Sequence, residues 1–295
     1  MNVIARRRGL RLRVTLILAA LAVTATAAIG VAVATVAGSN PFGTHRVGQT
    51  VNGAILLPTN QWISPLGTRI LDRNARLVSS TLSPNGGDVA ALGWNQFSGF
   101  LIIINLKTKQ IVQQTALSTP STKPTDSTVG PDGPLYTPDG TTLWVPQSTY
   151  LLRFSIDPTT GAATETAAIA LCGNGDPTSV PCNANAEAGA ADGSELPAGM
   201  ALSPDGTKLY VALNGANALG VIDTATNTLI AKIPVGNAPR QVVLTNNGTT
   251  AYVSNEGGAP ARPGQFTNMS DGTPIVSSRV TGGATSGTVS VVNLA

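Results

Sequence analysis

The sequence predicts an all-β protein built from four-stranded antiparallel sheets that repeat along the chain. The 295 residues include 32 Gly and 20 Pro but only 11% charged residues, a composition suited to short strands joined by tight turns. Apolar and polar residues alternate with a period of two in several segments, as pleated strands require. One sequence unit also recurs at intervals of about 40 residues or more, which indicates a repeat architecture.

The chain begins with a basic and then apolar segment that is typical of export. Five of the 18 basic residues lie in the first 13 positions, and residues 14–38 carry no charge. Residues 14–24 have the length of a signal-peptide apolar region and precede small-residue cleavage patterns. The whole of 14–38 could instead span a bilayer as an uncleaved anchor. Residues 1–38 are therefore predicted to be a signal peptide or a signal anchor.

The charge balance argues against a nucleic-acid partner. From residue 41 onward the chain has 13 basic and 15 acidic residues, and no cluster of Lys and Arg that a nucleic-acid surface needs. Membrane contact is expected only through residues 14–38, if they are not cleaved. The predicted location is outside the cytoplasm, either extracellular or on the cell surface.

The two cysteines fit an oxidising compartment. Cys172 and Cys182 lie ten positions apart in a segment rich in Gly, Asn and Pro, and in an exported protein they are expected to form a disulfide. A metal site is the alternative, but it needs more ligands, and the only histidine, His45, is distant in sequence.

The repeat is clearest in the second half of the chain. Residues 197–213, "PAGMALSPDGTKLYVAL", align with residues 239–255, "PRQVVLTNNGTTAYVSN", at a constant offset of 42. Weaker copies begin at 81 and 135. A lead-in segment with strands over 39–77 is followed by repeats over 78–295, and the predicted units lie near 78–115, 130–170, 197–236 and 239–295.

Each repeat is predicted to form one four-stranded antiparallel sheet. In the clearest unit the strands are 199–203, 207–213, 218–223 and 228–235, because apolar residues alternate within them and turn residues separate them. Repetition of such sheets is the arrangement of blades in a β-propeller. A β-sandwich is the alternative, but its strands would not recur in a fixed internal order.

The same unit resembles a known repeat family. "SPDGTKLYVALNGANALGVIDTATNTLIAKIPVG" is similar to the repeat of YVTN-type bacterial β-propellers, and the strand that names the family reads Tyr252-Val253-Ser254-Asn255 here. The resemblance covers roughly residues 78–295 and implies the propeller fold. Residues 52–70 also resemble the lead-in of exported proteins in which such a propeller precedes an alkaline-phosphatase-type phosphoesterase domain.

Two segments break the rhythm of the repeat. Residues 172–196 join the second unit to the third, and residues 257–287 interrupt the fourth. Long connections in a repeat protein are often functional. The chain ends after the third strand of the fourth unit, so we expect an incomplete propeller that belongs to a longer protein. A compact four-bladed closure is the alternative.

Acidic and amide residues recur at the turns. The functional interpretation of these carboxylates is a calcium site, which needs several oxygen ligands. Asn replaces Asp in two of the four copies, however, and Asn can cap a turn but cannot supply the charge. No metal site is therefore predicted, and these positions are interpreted as blade turns: Asn85, Asp139, Gly140, Asp205, Gly206, Asn247 and Gly248.

No catalytic set is recognisable. With His45 as the only histidine, a Ser-His-Asp site is not expected, and no phosphate-binding or dinucleotide-binding motif occurs. No catalytic residue and no cofactor are therefore predicted. Tyr210, Tyr252 and Trp144 hold equivalent strand positions and are expected to pack between blades. Trp94, expected in a loop, is the predicted ligand contact.

Three functions follow, in order of preference. The first is an exported, non-catalytic binding or scaffold module of the YVTN type that presents its rim to a protein, glycan or small-molecule ligand at the cell envelope. The second is the propeller part of a secreted phosphoesterase whose catalytic domain lies beyond residue 295. The third, a lactonase-like propeller hydrolase, rests on fold analogy alone.

Overall fold

The computed structural model describes most of the chain after the predicted leader. It describes residues 45–295 with the exception of 58, 60, 65–66, 96–97, 118–129, 131, 148–149, 172–194, 246 and 271–272. The predicted leader and the predicted Cys172–Cys182 disulfide lie outside these residues. Within the described part of the chain, no helix has the length and apolar character needed to cross a membrane.

The chain divides into two compact units, and the first is Met1–Arg69. Its described part is a three-stranded antiparallel sheet of β1 (Thr50–Val51), β2 (Ala54–Leu56) and β3 (Trp62–Ile63). Asn52 and Gly53 join β1 to β2 with φ of 48° and 80°. This is the sequence and backbone of a two-residue hairpin turn.

The second unit, Ile70–Ala295, consists of successive antiparallel sheets that we call blades 1 to 4. Blade 1 contains β4 (Arg76–Leu82), β5 (Asp88–Trp94), β6 (Gly99–Asn105) and β7 (Gln110–Ala116). Blade 2 contains β8 (Leu135–Tyr136), β9 (Thr142–Pro146), β10 (Tyr150–Ile156) and β11 (Ala163–Ala170). In both blades the strands pair in the order of the sequence.

Blade 3 is the sheet that the sequence predicts best. It contains β12 (Pro197–Leu202), β13 (Lys208–Leu213), β14 (Ala218–Asp223) and β15 (Thr228–Pro234), whose bounds lie within two residues of the predicted ones. Blade 4 is three-stranded, with β16 (Asn237–Leu244), β17 (Thr250–Gly258) and β20 (Thr288–Asn293). Between β17 and β20 lies a separate hairpin of β18 (Thr267–Ser270) and β19 (Thr273–Val276). The predicted all-β, four-stranded antiparallel blade architecture is confirmed.

The core of the second unit lies between consecutive blades. Alternation places every second side chain of a strand on each face of the sheet, so each inner blade packs on both sides. Representative buried side chains between blades 1 and 2 are Leu92, Ile103, Leu143 and Phe154; between blades 2 and 3, Trp144, Leu151, Leu209 and Ile222; and between blades 3 and 4, Tyr210, Leu219, Val242 and Val253.

The two ends of the blade series differ. The outer face of blade 1 is buried, with Ile102 fully inaccessible and Ile70 and Ala75 packed on it. The outer face of blade 4 instead exposes Tyr252 and Val291. Among the described residues, β20 pairs only with β17, whereas each third strand of the other blades has a fourth strand beside it.

Candidate functional site

Blade connectivity gives the second unit two different faces. In a four-stranded antiparallel sheet, the connections from first to second and from third to fourth strand lie at one end. We call this end the turn face; it carries the predicted blade turns. The other end, which we call the insertion face, carries the connections from second to third strand and from each blade to the next. Three long connections, 117–134, 171–196 and 259–287, all start and finish there, and the last two contain the segments that break the repeat.

A short segment before β8, which we call the central segment, contacts all four blades. The Gly130 amide donates to the Pro146 carbonyl oxygen of blade 2 (2.9 Å), and a Cβ on Gly130 would overlap the Pro197 carbonyl oxygen of blade 3. A Cβ on Gly133 would lie 3.3 Å from the Ser80 carbonyl oxygen of blade 1. Glycine is needed at such close backbone approaches because it has no side chain.

Asp132 links this central segment to blade 4. Its Oδ2 lies 3.7 Å from the Nε of Arg240, and the same Nε lies 3.6 Å from Glu256 Oε2. Burial raises the pKa of Asp132; Arg240 lowers it and Glu256 raises it to smaller extents. The Arg240 side chain is 37% exposed, so the guanidinium remains accessible between two carboxylates.

A groove of 490 Å³ continues from Arg240 along blade 4. Its lining residues are Arg240, Ser254, Asn255, Glu256, Gly287, Thr288 and Val289. Asn255 is buried; its Nδ2 donates to Thr288 Oγ1 (3.1 Å) and Ser290 Oγ (3.0 Å). Its Oδ1 accepts no hydrogen bond from a described residue. Such an oxygen needs a partner, because burying an unsatisfied acceptor is costly.

Blade 3 contributes two further polar groups to the insertion face. Asn214, in the short 3-10 turn after β13, donates from Nδ2 to the Pro239 carbonyl oxygen (3.1 Å), while its buried Oδ1 has no hydrogen-bond partner among the described residues. Lys232 Nζ lies 2.7 Å from Glu195 Oε1, and both side chains are almost fully buried. This ion pair ties β15 to the chain entering blade 3.

On the turn face, the blade-turn residues bind their own backbone. Ser203 Oγ donates to Asp205 Oδ1 (2.6 Å), and the Thr207 amide donates to the same oxygen (3.1 Å). These hydrogen bonds, together with that from the Thr207 hydroxyl, lower the pKa of Asp205 to about 2. Asn247 accepts equivalent bonds from Thr245 and Thr249, so the amide replaces the carboxylate in this geometry.

Glycine completes these turns. Gly140, Gly206 and Gly248 have φ of 74°, 73° and 71°, a left-handed conformation that favours glycine. Each follows the predicted turn residue Asp139, Asp205 or Asn247, as the sequence pattern implies. The turn carboxylates of blades 2 and 3 thus accept hydrogen bonds from donors of their own turns. Among the described residues, no group of three His, Cys, Asp or Glu side chains is placed to hold a metal ion.

One pair of turns encloses a cavity. Between blades 1 and 2 the turn face contains a cavity of 160 Å³. Its lining residues are Ser83, Pro84, Asn85, Asp88, Asn105, Tyr136, Asp139, Gly140, Thr141, Ile156, Asp157, Pro158, Thr159, Thr160 and Gly161. Three carboxylates and no basic side chain therefore face this space.

The predicted ligand contact, Trp94, differs from expectation in its position. It is the last residue of β5, paired with Arg76 and Gly99, and does not lie in a loop. Register with both neighbouring strands extends β5 to this residue. The Arg76 guanidinium carbon lies 4.9 Å from the centre of its ring, a cation–π contact. Trp94 thus lies at the insertion end of blade 1.

Sequence reasoning missed several polar residues of both faces. Asp132, Arg240 and Glu256 come from distant parts of the chain, and no local pattern joins them. Asp88, Tyr136 and Gly161 could have been found, because each differs from the residues at the same position of the other repeats. The predicted packing of Tyr252 between blades is wrong, because no described blade covers that face and its side chain is 42% exposed.

Similarity to known proteins is weak and comes from solved structures alone. No protein-family model and no curated protein sequence matches the chain. Among solved structures, a protein from Lactobacillus plantarum is 17% identical over 81% of this chain and 67% of its own, with a TM-score of 0.48. A candidate 6-phosphogluconolactonase from Bacteroides uniformis is 14% identical over 70% of this chain and 62% of its own, with a TM-score of 0.45.

A functionally unknown protein from Desulfotomaculum acetoxidans is 17% identical over 61% of this chain, with a TM-score of 0.44. The chain spans 49% of that structure's length and 62% of the Bacteroides uniformis structure. At these identities and TM-scores, the similarities assign no activity to this chain.

Proposed function

We propose that this chain is a non-catalytic binding module of the YVTN-propeller type, exported to the cell envelope, that takes its ligand on the insertion face. The observation that carries the proposal is that the three long connections all begin and end at the insertion face. All three connect strands at the insertion face, where residues from different blades meet. Function in repeat scaffolds is usually placed in such connections, while the repeated strands supply rigidity.

The chemistry of this face fits a polyhydroxylated ligand. Arg240 supplies hydrogen-bond donors, Asp132 and Glu256 supply acceptors, and Ser254 and Thr288 can do both. The open groove along blade 4 places these groups at the protein surface. A glycan of the cell envelope offers alternating hydroxyl donors and acceptors, so we propose a glycan as the ligand.

Export is supported by the first 38 residues. The arginine-rich start and the uncharged segment 14–38 have the order of a signal peptide or signal anchor. Residues 41–295 have nearly equal numbers of basic and acidic residues and no basic cluster in the sequence, which fits a role that does not involve nucleic acid.

The test is a glycan-binding experiment on the purified full chain. An array that includes peptidoglycan fragments identifies the retained glycan, and titration then measures its affinity. Arg240→Ala should weaken binding at least tenfold, because a partly buried arginine in a binding site is a typical energetic hot spot. Lys208→Ala on the turn face is the matched control and should leave the affinity unchanged.

Two results would contradict the proposal. One is the absence of any retained glycan, or equal affinity of the Arg240→Ala variant and the natural protein. The other is turnover by the purified chain of a lactone or a phosphate ester, measured with and without a chelator, which would establish an enzyme in place of a binding module.

A further inference from the structure

Three positions of the repeat carry exceptional residues in blades 1 and 2. The first position of the second strand is Asp88 in blade 1, and the last position of the first strand is Tyr136 in blade 2. The position four residues after the strand-end Asp or Asn is Gly161 in blade 2. At the position of Asp88 the other repeats have Thr142, Lys208 and Thr250. At the position of Tyr136 they have Leu82, Leu202 and Leu244, and at the position of Gly161 they have Lys109 and Asn227.

These three exceptions meet in one place, the turn-face cavity between blades 1 and 2. A Cβ on Gly161 would lie only 2.7 Å from Asp88 Oδ2. The side chains of Lys109 and Asn227 hold the equivalent left-handed position in blades 1 and 3, with φ of 58° and 54°. The absence of a side chain at Gly161 therefore gives Asp88 the room it occupies.

The cavity contains polar groups that the protein itself does not satisfy. Asn105 Nδ2 donates to Asp88 Oδ1 (3.0 Å), but no described residue donates to Asp88 Oδ2. Tyr136 is only 8% exposed, and no described residue hydrogen-bonds its hydroxyl. Burial, and to a smaller extent Asp88, raise the pKa of Tyr136 to about 12, so the hydroxyl remains neutral. The Tyr136 hydroxyl can therefore donate a hydrogen bond to a bound molecule or accept one from it.

The electrostatics of the cavity favour a cation. Asp88, Asp139 and Asp157 are the charged residues among the described residues that line it. Hydrogen bonds from Thr137 and Thr141 lower the pKa of Asp139, and those from Thr160 and Thr159 lower the pKa of Asp157. Both carboxyls are therefore ionised at neutral pH, and no basic side chain is among the described residues that line the cavity of 160 Å³.

The oxygen atoms that line the cavity suit an ammonium group better than a metal ion. Calcium takes about six to eight oxygen ligands, whereas no described group of three acidic, His or Cys side chains is placed to hold a metal. An ammonium group has three N–H donors, and Asp88 Oδ2 and Tyr136 Oη belong to lining residues and accept no hydrogen bond from a described residue. We propose that this cavity is a second binding site and that it takes a small aliphatic amine in its ammonium form.

Isothermal titration of the full chain with 1,4-diaminobutane at pH 7 and low salt tests the proposal. We expect one diamine per chain and no heat of binding from 1,4-butanediol, which has similar shape without charge. Binding should weaken as salt is raised, because ions screen the carboxylates. Calcium chloride should not displace the diamine beyond the effect of its ionic strength.

Variants that introduce residues from the other blades identify the site. Asp88→Thr, the residue of blades 2 and 4, should weaken binding at least tenfold because it removes a charged acceptor. Tyr136→Leu, the residue of the other three blades, should weaken it severalfold, and Gly161→Asn, the residue of blade 3, should block the cavity. Asp223→Asn in blade 3 is the matched control and should leave binding unchanged.

Several outcomes would overturn the proposal. These are the absence of diamine binding, equal binding of the diol, specific displacement by calcium, or unchanged affinity in Asp88→Thr. If that variant does not fold, Asp88→Asn gives the same comparison with the side-chain shape retained. The glycan test depends on Arg240 and this one on Asp88, on opposite faces, so the failure of either proposal is distinguishable from that of the other.

Discussion

Tyr210 and Tyr252 hold the same position in blades 3 and 4, yet their environments differ. Tyr210 is 4% exposed and Tyr252 is 42% exposed. Their cross-strand neighbours follow the same trend, since Val221 beside Tyr210 is 6% exposed and Val291 beside Tyr252 is 65% exposed. The residue types and registers match, so the difference comes from the neighbouring sheet. Blade 4 packs on Tyr210, and no described blade packs on Tyr252.

The comparison shows which stabilising contacts the repeat itself provides. Alternation and turns fix each blade locally, but burial of the outward face depends on the next blade. Blade 3 also has a fourth strand and the buried Lys232–Glu195 ion pair. Blade 4 has three strands, and its Arg240–Glu256 ion pair is exposed. The same sequence pattern therefore gives a buried sheet at one position of the series and a half-exposed sheet at another.

The largest expected difference between these blades is in the two tyrosines. Tyr210→Ala should lower the free energy of unfolding by about 3–5 kcal/mol, because it leaves a cavity between two packed sheets. Tyr252→Ala should lower it by about 1 kcal/mol or less, since much of that side chain is already in water. Urea unfolding followed by fluorescence or circular dichroism measures both. Equal destabilisation by the two variants would show that blade 4 is covered in solution.

The ion pairs give the next comparison. Lys232→Ala in blade 3 should lower the free energy of unfolding by about 3 kcal/mol, because Glu195 would keep a buried charge without its nearest cation. Glu256→Gln in blade 4 should change the free energy of unfolding by less than about 1 kcal/mol, since the Arg240–Glu256 pair is exposed and its charged atoms are 3.6 Å apart. Thermal unfolding at pH 7 compares the two. A larger loss in Glu256→Gln would reverse our ranking of the two blades.

The smallest expected effect lies in the turns that the two blades share. The Asp205 carboxyl has a pKa of about 2 in the folded chain, below its ordinary value of 3.8. Its contribution to stability is therefore complete above about pH 4 and is lost as the pH falls towards 2. Asp205→Asn should be nearly neutral at pH 7, because Asn247 makes the equivalent turn in blade 4. Acid unfolding of this variant and the natural protein should differ only below about pH 4.

The fold could be predicted where the sequence carries local signals. The strands of blade 3 were predictable from apolar alternation and from the turn at Asp205-Gly206. The β18–β19 hairpin was not, because "TNMS" and "TPIV" show no clear alternation and lie in a segment that departs from the repeat. Its position depends on non-local contacts such as Asn237 Nδ2 to the Pro274 carbonyl oxygen (3.1 Å).

The candidate sites were less predictable for the same reason. Asp132 and Arg240 are more than 100 residues apart, and only the packing of blade 4 beside the central segment brings them within 3.7 Å. The exceptional character of Asp88 and Tyr136 can be found by aligning the repeats. Their convergence in one cavity cannot, because it depends on how blades 1 and 2 pack.

The most direct test of the difference between blades 3 and 4 is hydrogen exchange in their equivalent third strands. Backbone amides of β14 lie between β13 and β15, whereas β20 pairs on one side only among the described residues. We expect β14 to exchange at least tenfold more slowly than β20, because unpaired edge amides are open to solvent. Equal protection of the two strands would contradict this account and would show that another strand covers the edge of β20.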